Sequence, residues 1–423
     1  MVSPKNNGRL RMTHLFDWWK ESSPSARRSL MAASLGWMLD SFDVMLYAMV
    51  LAALMKDLHM VKTTAGMLGS LTLLASAAGG MIFGVVADRF GRTRALRASI
   101  LIYSVFTAAC GLARTVPMLA VFRICLGLGM GGEWASGAAL VSETWPAEHR
   151  GKALGFMQSF WAVGYASAAL VTAIILPRWG WRAVFFIGVL PALFTLWVRA
   201  KVEEPEMWKN QRNLKTQGGP GALRPRLSGR LMRITAAVVL MNAFTMFAWW
   251  GLNLWIPGYL SLPRDQGGIG LGPGLMSTLV IFMQVGMWLG YLTFGYISDT
   301  AGRKRTYVVY VLAASGFVLL YSAVHTPLLL FFLGPFVAFF GTGYFSGFGA
   351  LTAELYPTRI RATAQGFTYN IGRIASAAAP IAVGSLAQTH GFGKAFLLTS
   401  AAFLMAALMW LWIPETRGKA LEP

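Results

Sequence analysis

Apolar runs of about 20 residues, the length that crosses a hydrocarbon slab, recur from one end of this chain to the other. Twelve are legible, at about 30–55, 65–87, 95–113, 117–141, 152–176, 182–199, 233–258, 273–297, 306–323, 326–353, 363–386 and 392–413. Short polar segments separate them, so the pattern predicts an all-α membrane protein of twelve transmembrane helices. One polar stretch is long. Residues 200–232 carry Glu203, Glu204 and Glu206, then Gly218-Gly219-Pro220-Gly221, and read as a flexible linker between two sets of six spans. The division is therefore a cytoplasmic N-terminal segment 1–29, a six-helix bundle 30–199, a cytoplasmic linker 200–232, a second bundle 233–413 and a cytoplasmic tail 414–423.

The two bundles are related. Gly84-Val-Val-Ala-Asp88-Arg89-Phe-Gly91-Arg92 returns as Gly295-Tyr-Ile-Ser-Asp299-Thr-Ala-Gly302-Arg303, each matched pair lying 211 residues apart (295 − 84). Glu143, Pro146, Arg150, Gly155 and Phe156 recur at the same offset as Glu354, Pro357, Arg361, Gly366 and Phe367. Two separate stretches sharing one offset indicate a duplicated unit of half the chain. In a membrane sequence, a parallel repeat of that size implies two similar bundles with a site between them. Asp88, Arg89, Arg92, Glu143 and Arg150, with Asp299, Arg303, Glu354 and Arg361, sit at helix ends where carboxylate and guanidinium can pair across neighbours. We read them as a gating latch on the cytoplasmic side.

Composition agrees with the pattern. The chain is 56% hydrophobic and 13% charged, against about a quarter charged in soluble domains. Its net charge of +20 raises the question of nucleic acid. Most of the 37 Lys and Arg, however, fall at the two ends, in the linker and in every second loop. The positive-inside rule then puts both termini in the cytoplasm of a multi-pass plasma (bacterial inner) membrane protein, and the surplus attracts anionic membrane lipid rather than nucleic acid. Cys110 and Cys125 fall inside spans, which argues against a disulfide framework. The first 29 residues lack the apolar core of a signal peptide. The five His are scattered, so no metal ligand set and no cofactor are expected. Gly127-Leu-Gly-Met-Gly-Gly132 matches a dinucleotide pattern but lies in an apolar span and follows no strand. Small residues there, as at Gly80 with Gly84 and Gly343 with Gly347, instead let helices approach closely.

Five ionisable residues lie deep in spans: Asp40, Asp43, Arg123, Glu133 and Arg373. Each costs several kcal/mol to hold in a membrane, so each is a functional candidate. Asp40 and Asp43 are neighbours on one helix face, and Tyr47 continues the stripe. Two carboxylates at that spacing repel when both are ionised, which suits one of them to carry a proton. Glu133 is the second candidate for that role. Arg123 is a charge partner, able to pair with an Asp of the first span or to serve structure alone. Arg373 stands at mid-depth with Tyr369 and Asn370 one turn before it and no acid on its own helix. A guanidinium so flanked suits a carboxylate held by two parallel hydrogen bonds. Gln158 and Trp161, Asn242 and Asn253, and Gln284 complete a candidate cavity with Tyr47. The aromatic stripes that accompany them, Tyr165, Trp249, Trp288 and Tyr291, read more readily as packing than as ligand walls.

With these residues in view, the chain resembles the major facilitator superfamily over nearly its whole length. The pattern at 84–92, degenerate at 295–303, is that superfamily's hallmark. Leu39-Asp-Ser-Phe-Asp43, Arg123-Ile-Cys-Leu-Gly-Leu-Gly-Met-Gly-Gly-Glu133-Trp, Glu354-Leu-Tyr-Pro-Thr-Arg and Pro414-Glu-Thr-Arg-Gly-Lys resemble the proton-linked organic-acid carriers, among them sialic acid permeases, lactate permeases and aromatic-acid symporters. The resemblance implies a monomeric carrier that is not an enzyme and that couples protons to a small organic anion by alternating access. A monocarboxylate such as lactate is the expected cargo; aromatic acids, sugar acids and neutral sugars are the alternatives, with an exporter or a transporter-like receptor behind them. The larger sialic acid permeases have an extra central pair of spans that this chain lacks.

Overall fold

The computed structural model describes residues 17–20, 22–190, 193–194, 197, 229–356 and 361–417. The first 16 residues, most of the expected linker and the end of the tail lie outside the described residues, as do the side chains of Asp88, Arg92, Arg150 and Arg361. The described regular structure is helical, with no strand. The first half holds α1 (Asp17–Lys20), α2 (Pro24–Asp57), α3 (Lys62–Phe90), α4 (Arg92–Cys110), α5 (Val116–Thr144) and α6 (Ala147–Ile187). The second holds α7 (Gly229–Ser261), α8 (Pro273–Ala301), α9 (Arg303–Ala323), α10 (Pro327–Thr342), α11 (Phe345–Leu355), α12 (Arg361–Ser376) and α13 (Ala378–Met409). Among the described residues, nine segments are long and apolar enough to cross a membrane. Two long helices change direction at a glycine with positive φ, α6 at Gly180 (74°) and α13 at Gly391 (83°), a conformation other residues rarely take.

Helices start where the sequence supplies a stop for free N–H groups. Ser23 caps α2 by accepting from the Ala26 amide, and Pro24 occupies the first turn, where a missing donor costs nothing. α7 and α2 begin several residues before the apolar runs do, because a helix satisfies its own backbone at the polar boundary as well as in hydrocarbon. Buried hydroxyls follow the same logic. Thr72, Thr107, Thr172, Thr245 and Thr342 each donate to the carbonyl one turn back, at 2.6–3.0 Å.

Packing within each half rests on small residues. In the first half α3 and α4 lie against α5, and α2 against α6; in the second α7 and α9 lie against α13, α8 against α10, and α12 against α7. A Cβ on Gly79 would stand 2.1 Å from the Leu128 carbonyl oxygen, and one on Gly131 2.0 Å from that of Ser76. Backbone therefore meets backbone at the α3–α5 crossing, as expected for the glycine run of α5. The repeat reproduces this contact: a Cβ on Gly290 would stand 2.6 Å from the Phe339 carbonyl oxygen, and both residues follow their counterparts by 211 (290 − 79, 339 − 128). Large side chains such as Met81, Val105, Leu170, Val309, Phe332 and Leu411 are exposed, as a lipid-facing belt requires. Trp18 and Trp19 of α1 pack against Trp145, with centroids at 5.2 and 6.3 Å.

The halves touch along α6–α8, α3–α13 and α2–α7. Among the described residues, the hydrogen bonds that join them lie from mid-depth to the face opposite the repeated loops.

The tail motif has a structural task. Glu415 accepts from the backbone amides of Arg303, Lys304, Thr416 and Arg417 at 2.9–3.1 Å and so caps the start of α9. Gly302, at φ 104°, lets the carboxylate come this close, since a Cβ would meet it at 2.7 Å. Partial burial pushes the Glu415 carboxyl up, but the four amides outweigh it and hold the group below the usual carboxylate range. Glu415→Ala should cost about 1 kcal/mol, the value of a helix cap, read as a lower melting temperature in detergent. Because the folded-state pKa is depressed, this contribution is present above the unfolded value of about 4.3 and is lost as pH falls through and below it. The gap between wild type and variant should therefore close below about pH 4.

Candidate functional site

The repeated loops build a charge cluster inside the second half. Arg303 pairs with Asp299 one turn before it, and its Nη2 and Nε donate to the two carboxylate oxygens of Glu354 of α11 at 3.0 and 3.4 Å. Its other nitrogen donates to Ser298 Oγ at 2.7 Å, and Thr416 Oγ1 donates to Glu354 at 2.6 Å. The sequence reading expected these charges to hold a face shut. In this structure Asp299, Arg303 and Glu354 tie α8, α9, α11 and the tail into one unit and, among the described residues, make no hydrogen bond or ion pair with the other half. In the first half, Arg89 is exposed and Glu143 is half-buried and engaged.

The opposite face is closed by a stripe on α3. Lys62, Gly66, Gly69 and Ser70 follow helical spacing and meet α13 and the loop after α7. The Lys62 amide donates to Gln388 Oε1 at 3.0 Å, and Nζ donates to the carbonyls of Gln266 (2.6 Å) and Ala387 (3.3 Å). The Ile381 amide, freed near the α12–α13 break, donates to Ser70 Oγ at 3.2 Å. Pro380 sits in the notch left by two glycines: a Cβ on Gly66 would stand 2.3 Å from its carbonyl oxygen.

Between the two faces, residues of both halves line a cavity: Trp37 of α2, Gln158 and Trp161 of α6, Met246, Trp249 and Trp250 of α7, Tyr291 of α8, Phe345 of α11, and Tyr369 and Arg373 of α12. The aromatic rings form a chain across the interface. Trp37 and Trp161 lie 4.6 Å apart by centroid, Trp161 and Trp249 5.6 Å, Trp249 and Trp250 4.7 Å, and Trp249 and Phe345 6.0 Å. The space inside is about 40 Å³, room for a few waters. Two helix breaks border it. Phe345 opens α11 after the break that ends α10 at Thr342, and Arg373 lies in the last turn of α12 before the break at Ala377.

Four polar atoms of the lining are buried and unpaired. The indole N–H groups of Trp37, Trp161 and Trp249 and the Gln158 Oε1 atom have no hydrogen-bond partner. Buried polar groups are ordinarily paired, so a lining with three unpaired donors and a guanidinium is suited to an acceptor. Arg373, 4% exposed, makes no ion pair with a described residue, although Asp40 and Glu133 lie within Coulombic reach.

The acids sit behind this wall, in the first half. Asp40 follows Trp37 by one turn and is 1% exposed. Both oxygens of Asp43 and of Glu133 lack a partner, as does Asp40 Oδ2. Thr107 faces Asp43 but donates its hydroxyl to the Tyr103 carbonyl. Glu133 occupies a niche of small groups, its Oε1 lying 2.5 Å from where a Gly36 Cβ would stand and 3.4 Å from the Gly137 position. Arg123 pairs with no described aspartate. Its guanidinium lies over the Tyr47 ring at 4.0 Å, a cation–π contact one turn beyond Asp43.

The structure thus brings Gln158, Trp161, Tyr369 and Arg373 of the expected substrate set to the cavity. Tyr47 is engaged with Arg123 and donates to the Ala65 carbonyl at 2.8 Å. Asn242 donates to the Thr368 carbonyl at 3.1 Å and locks α7 to α12. Asn253 and Gln284 donate to the carbonyls of Trp249 and Val280 in their own helices, and Asn370 to that of Gly366. None of these five lines the cavity. Trp249 and Tyr291, read as packing, do line it; Trp288 faces outward, 40% exposed. Trp37, Met246, Trp250 and Phe345 were missed. Trp37 shares a helix face with Asp40, the one signal that would have found it.

The comparisons decide the family. A model described as Major Facilitator Superfamily matches residues 33–292 and 260–423. The chain belongs to the major facilitator superfamily. A protein of Haemophilus influenzae named for metabolite transport is 34% identical over 93% of this chain and 98% of its own. One of Cupriavidus pinatubonensis named for 4-methylmuconolactone transport is 33% identical over 96% and 95%. The cis,cis-muconate transport protein of Acinetobacter baylyi is 30% identical over 89% and 91%. Among solved structures, the xylose transporter of Escherichia coli in a partially occluded, inward-open conformation superposes with a TM-score of 0.76 at 19% identity, covering 94% of this chain and 100% of that one; that likeness concerns the fold. The chain is therefore a multi-pass inner-membrane transporter of the organic-acid carrier group.

Closure of the Lys62 face has a direct test. Gly66→Leu puts carbons where the Pro380 backbone lies, so the seam should fail to close. Uptake should fall at least about tenfold, since ordered closure of the transport cycle is lost. A reporter Leu254→Cys, on the α7 residue that contacts Gly69, should react several-fold faster with a membrane-impermeant maleimide in that background. Unchanged reactivity would mean that the notch does not control this face.

Proposed function

We propose that this chain is a proton-coupled symporter of a small organic acid, working by alternating access across twelve membrane crossings with both termini in the cytoplasm. The reading rests on one arrangement: Arg373 beside three unpaired indole N–H groups, with unpartnered acids one layer behind. A carboxylate entering the cavity takes the Arg373 fork and accepts from Trp37, Trp161 or Trp249. Asp40 and Glu133 compete for the same guanidinium when ionised. Protonating them frees Arg373 for the substrate, so proton and anion bind in support of one another. An ionised Glu133 has nothing in its niche to offset the loss of water, and Asp43 is in the same position; both suit a proton carrier.

The aromatic lining favours a planar cargo. Lactate, the monocarboxylate first expected, offers little face for four indoles to cover, whereas a ring or conjugated diene acid stacks on them. Relatives named for muconate and methylmuconolactone transport support the same choice. With about 40 Å³ available, such a cargo requires the halves to part. On this reading the repeated loops face the cytoplasm and the Lys62 seam faces outward, sealed in this state.

Proteoliposomes given benzoate, cis,cis-muconate, lactate, gluconate and glucose, with and without an inward proton gradient, test the reading. Accumulation of benzoate or muconate should exceed that of lactate about tenfold or more and should depend on the gradient. Arg373→Lys keeps the charge but loses the fork, and should weaken that uptake by about 1.5–3 kcal/mol, roughly ten- to a hundredfold. Gradient-driven accumulation of glucose in preference to every acid would overturn the proposal.

A further inference from the structure

Two facing tryptophans of the cavity stand on helices that are bonded to each other one turn further toward the Lys62 face. On α6, Tyr165 follows Trp161 by four residues (165 − 161); on α7, Asn253 follows Trp249 by four (253 − 249). The Tyr165 hydroxyl donates to the Asn253 backbone carbonyl at 3.0 Å, joining the two halves. Both residues are buried. The bond thus lies a single turn from the Trp161–Trp249 contact, whose centroids are 5.6 Å apart.

The acceptor is free for a reason written in the sequence. A helix carbonyl ordinarily receives the amide four residues on, and here that residue is Pro257, which has no N–H. The Asn253 side chain turns back along α7 and donates to the Trp249 carbonyl at 3.0 Å. Without Tyr165 the Asn253 carbonyl would be a buried acceptor robbed of its helical donor. Each helix is also fixed within its own half. A Cβ on Gly164 would run into the Met38 carbonyl oxygen, and Ser41 Oγ donates to the Trp161 carbonyl at 2.8 Å, which holds α6 on α2. Trp255 Nε1 donates to the Pro380 carbonyl at 2.9 Å, and a Cβ on Gly251 would meet Thr399 at 2.9 Å, which holds α7 on α13. The bond between Tyr165 and Asn253 therefore fixes the gap between the halves at the level of the tryptophans.

We propose that this bond is a spacer and Tyr165 a positioning residue that sets the width of the slot between Trp161 and Trp249, resting on the reading of the cavity as a site for planar acids. A guest wide enough to part the two rings also draws the Tyr165 hydroxyl from the carbonyl one turn on. While the Lys62 face is open, water can serve both groups. Closing that face over a wide guest leaves them buried and unpaired, so the closed state selects cargo by width.

Tyr165→Phe removes the hydroxyl alone. In proteoliposomes, counterflow of 2-naphthoate relative to benzoate should rise about fivefold or more. With its partner gone, the carbonyl should also disfavour closure, so Leu254→Cys should react several-fold faster with a membrane-impermeant maleimide. Pro257→Ala gives the Asn253 carbonyl a helical donor again, and in that background Tyr165→Phe should change the labelling rate by less than about twofold. An unchanged ratio of the two acids would overturn the spacer, and so would labelling that rises equally with and without Pro257. A lower melting temperature in detergent with both acids slowed alike would overturn it too, by making the hydroxyl structural. If wild type carries neither acid, the cargo reading fails by itself; labelling unaffected by Tyr165→Phe would then overturn the spacer separately.

Discussion

A charge inside a hydrocarbon slab must turn toward protein, and this single constraint organises the molecule. Asp40, Asp43, Arg123, Glu133 and Arg373 are all at most 4% exposed, and every helix that carries one presents it to another helix. Among the described residues they form no ion pairs, however. Arg123 takes the face of Tyr47, Glu133 takes a niche of glycines, and Arg373 takes a place in the cavity lining. A permanent buried pair would be compact and inert. Acids and guanidinium held within field range, without contact, can respond to a proton or an anion that arrives between them.

The duplication supplies the frame, and departures from it supply the site. The two halves share a backbone-to-backbone crossing, Gly79 on Leu128 and Gly290 on Phe339. They differ where chemistry is concerned. The acids belong to unbroken stretches of α2 and α5, where a regular helix fixes each carboxylate against its neighbours. Arg373 and Phe345 belong to helices interrupted at Ala377 and Gly343. Interrupted helices free backbone groups and add bend at the level of the cavity. Unbroken stretches of the first half thus hold the acids, and interrupted helices of the second carry the arginine and close the aromatic chain.

Much of this was legible because membrane sequences state their burial openly. Apolar length marked out membrane-spanning helices, of which nine are long and apolar enough among the described residues against the twelve expected, while the offset of 211 singled out the repeated loops and the rarity of charge singled out Arg373, Asp40 and Glu133. What the sequence did not disclose is which residues meet across the interface. Asn242 and Asn253 have the same composition signal as Gln158, yet the first two bond to carbonyls of α12 and of α7 itself, while Gln158 keeps its oxygen for the cavity. Helical spacing gives the face a residue occupies, not the partner that face receives. Trp250 and Phe345 escaped for that reason. The charge cluster of the repeated loops was legible as residues but not as connectivity, since only the fold decides that Arg303 reaches Glu354 within its own half.

The closure of one face and the narrowness of the cavity are two consequences of the same contact. The chain of rings from Trp37 to Phe345 spans both halves, so drawing α3 onto α13 at Pro380 also draws the tryptophan walls together. A planar guest between the rings would hold them apart and act against that closure, while its carboxylate on Arg373 would draw α12 toward α2. On the proposed symport reading, binding would set two opposed forces on one interface, and protonation of the nearby acids would change their balance. Coupling of cargo to proton in such a design needs no long pathway between distant sites. It follows from a guanidinium shared by two claimants in a seam that only one of them widens.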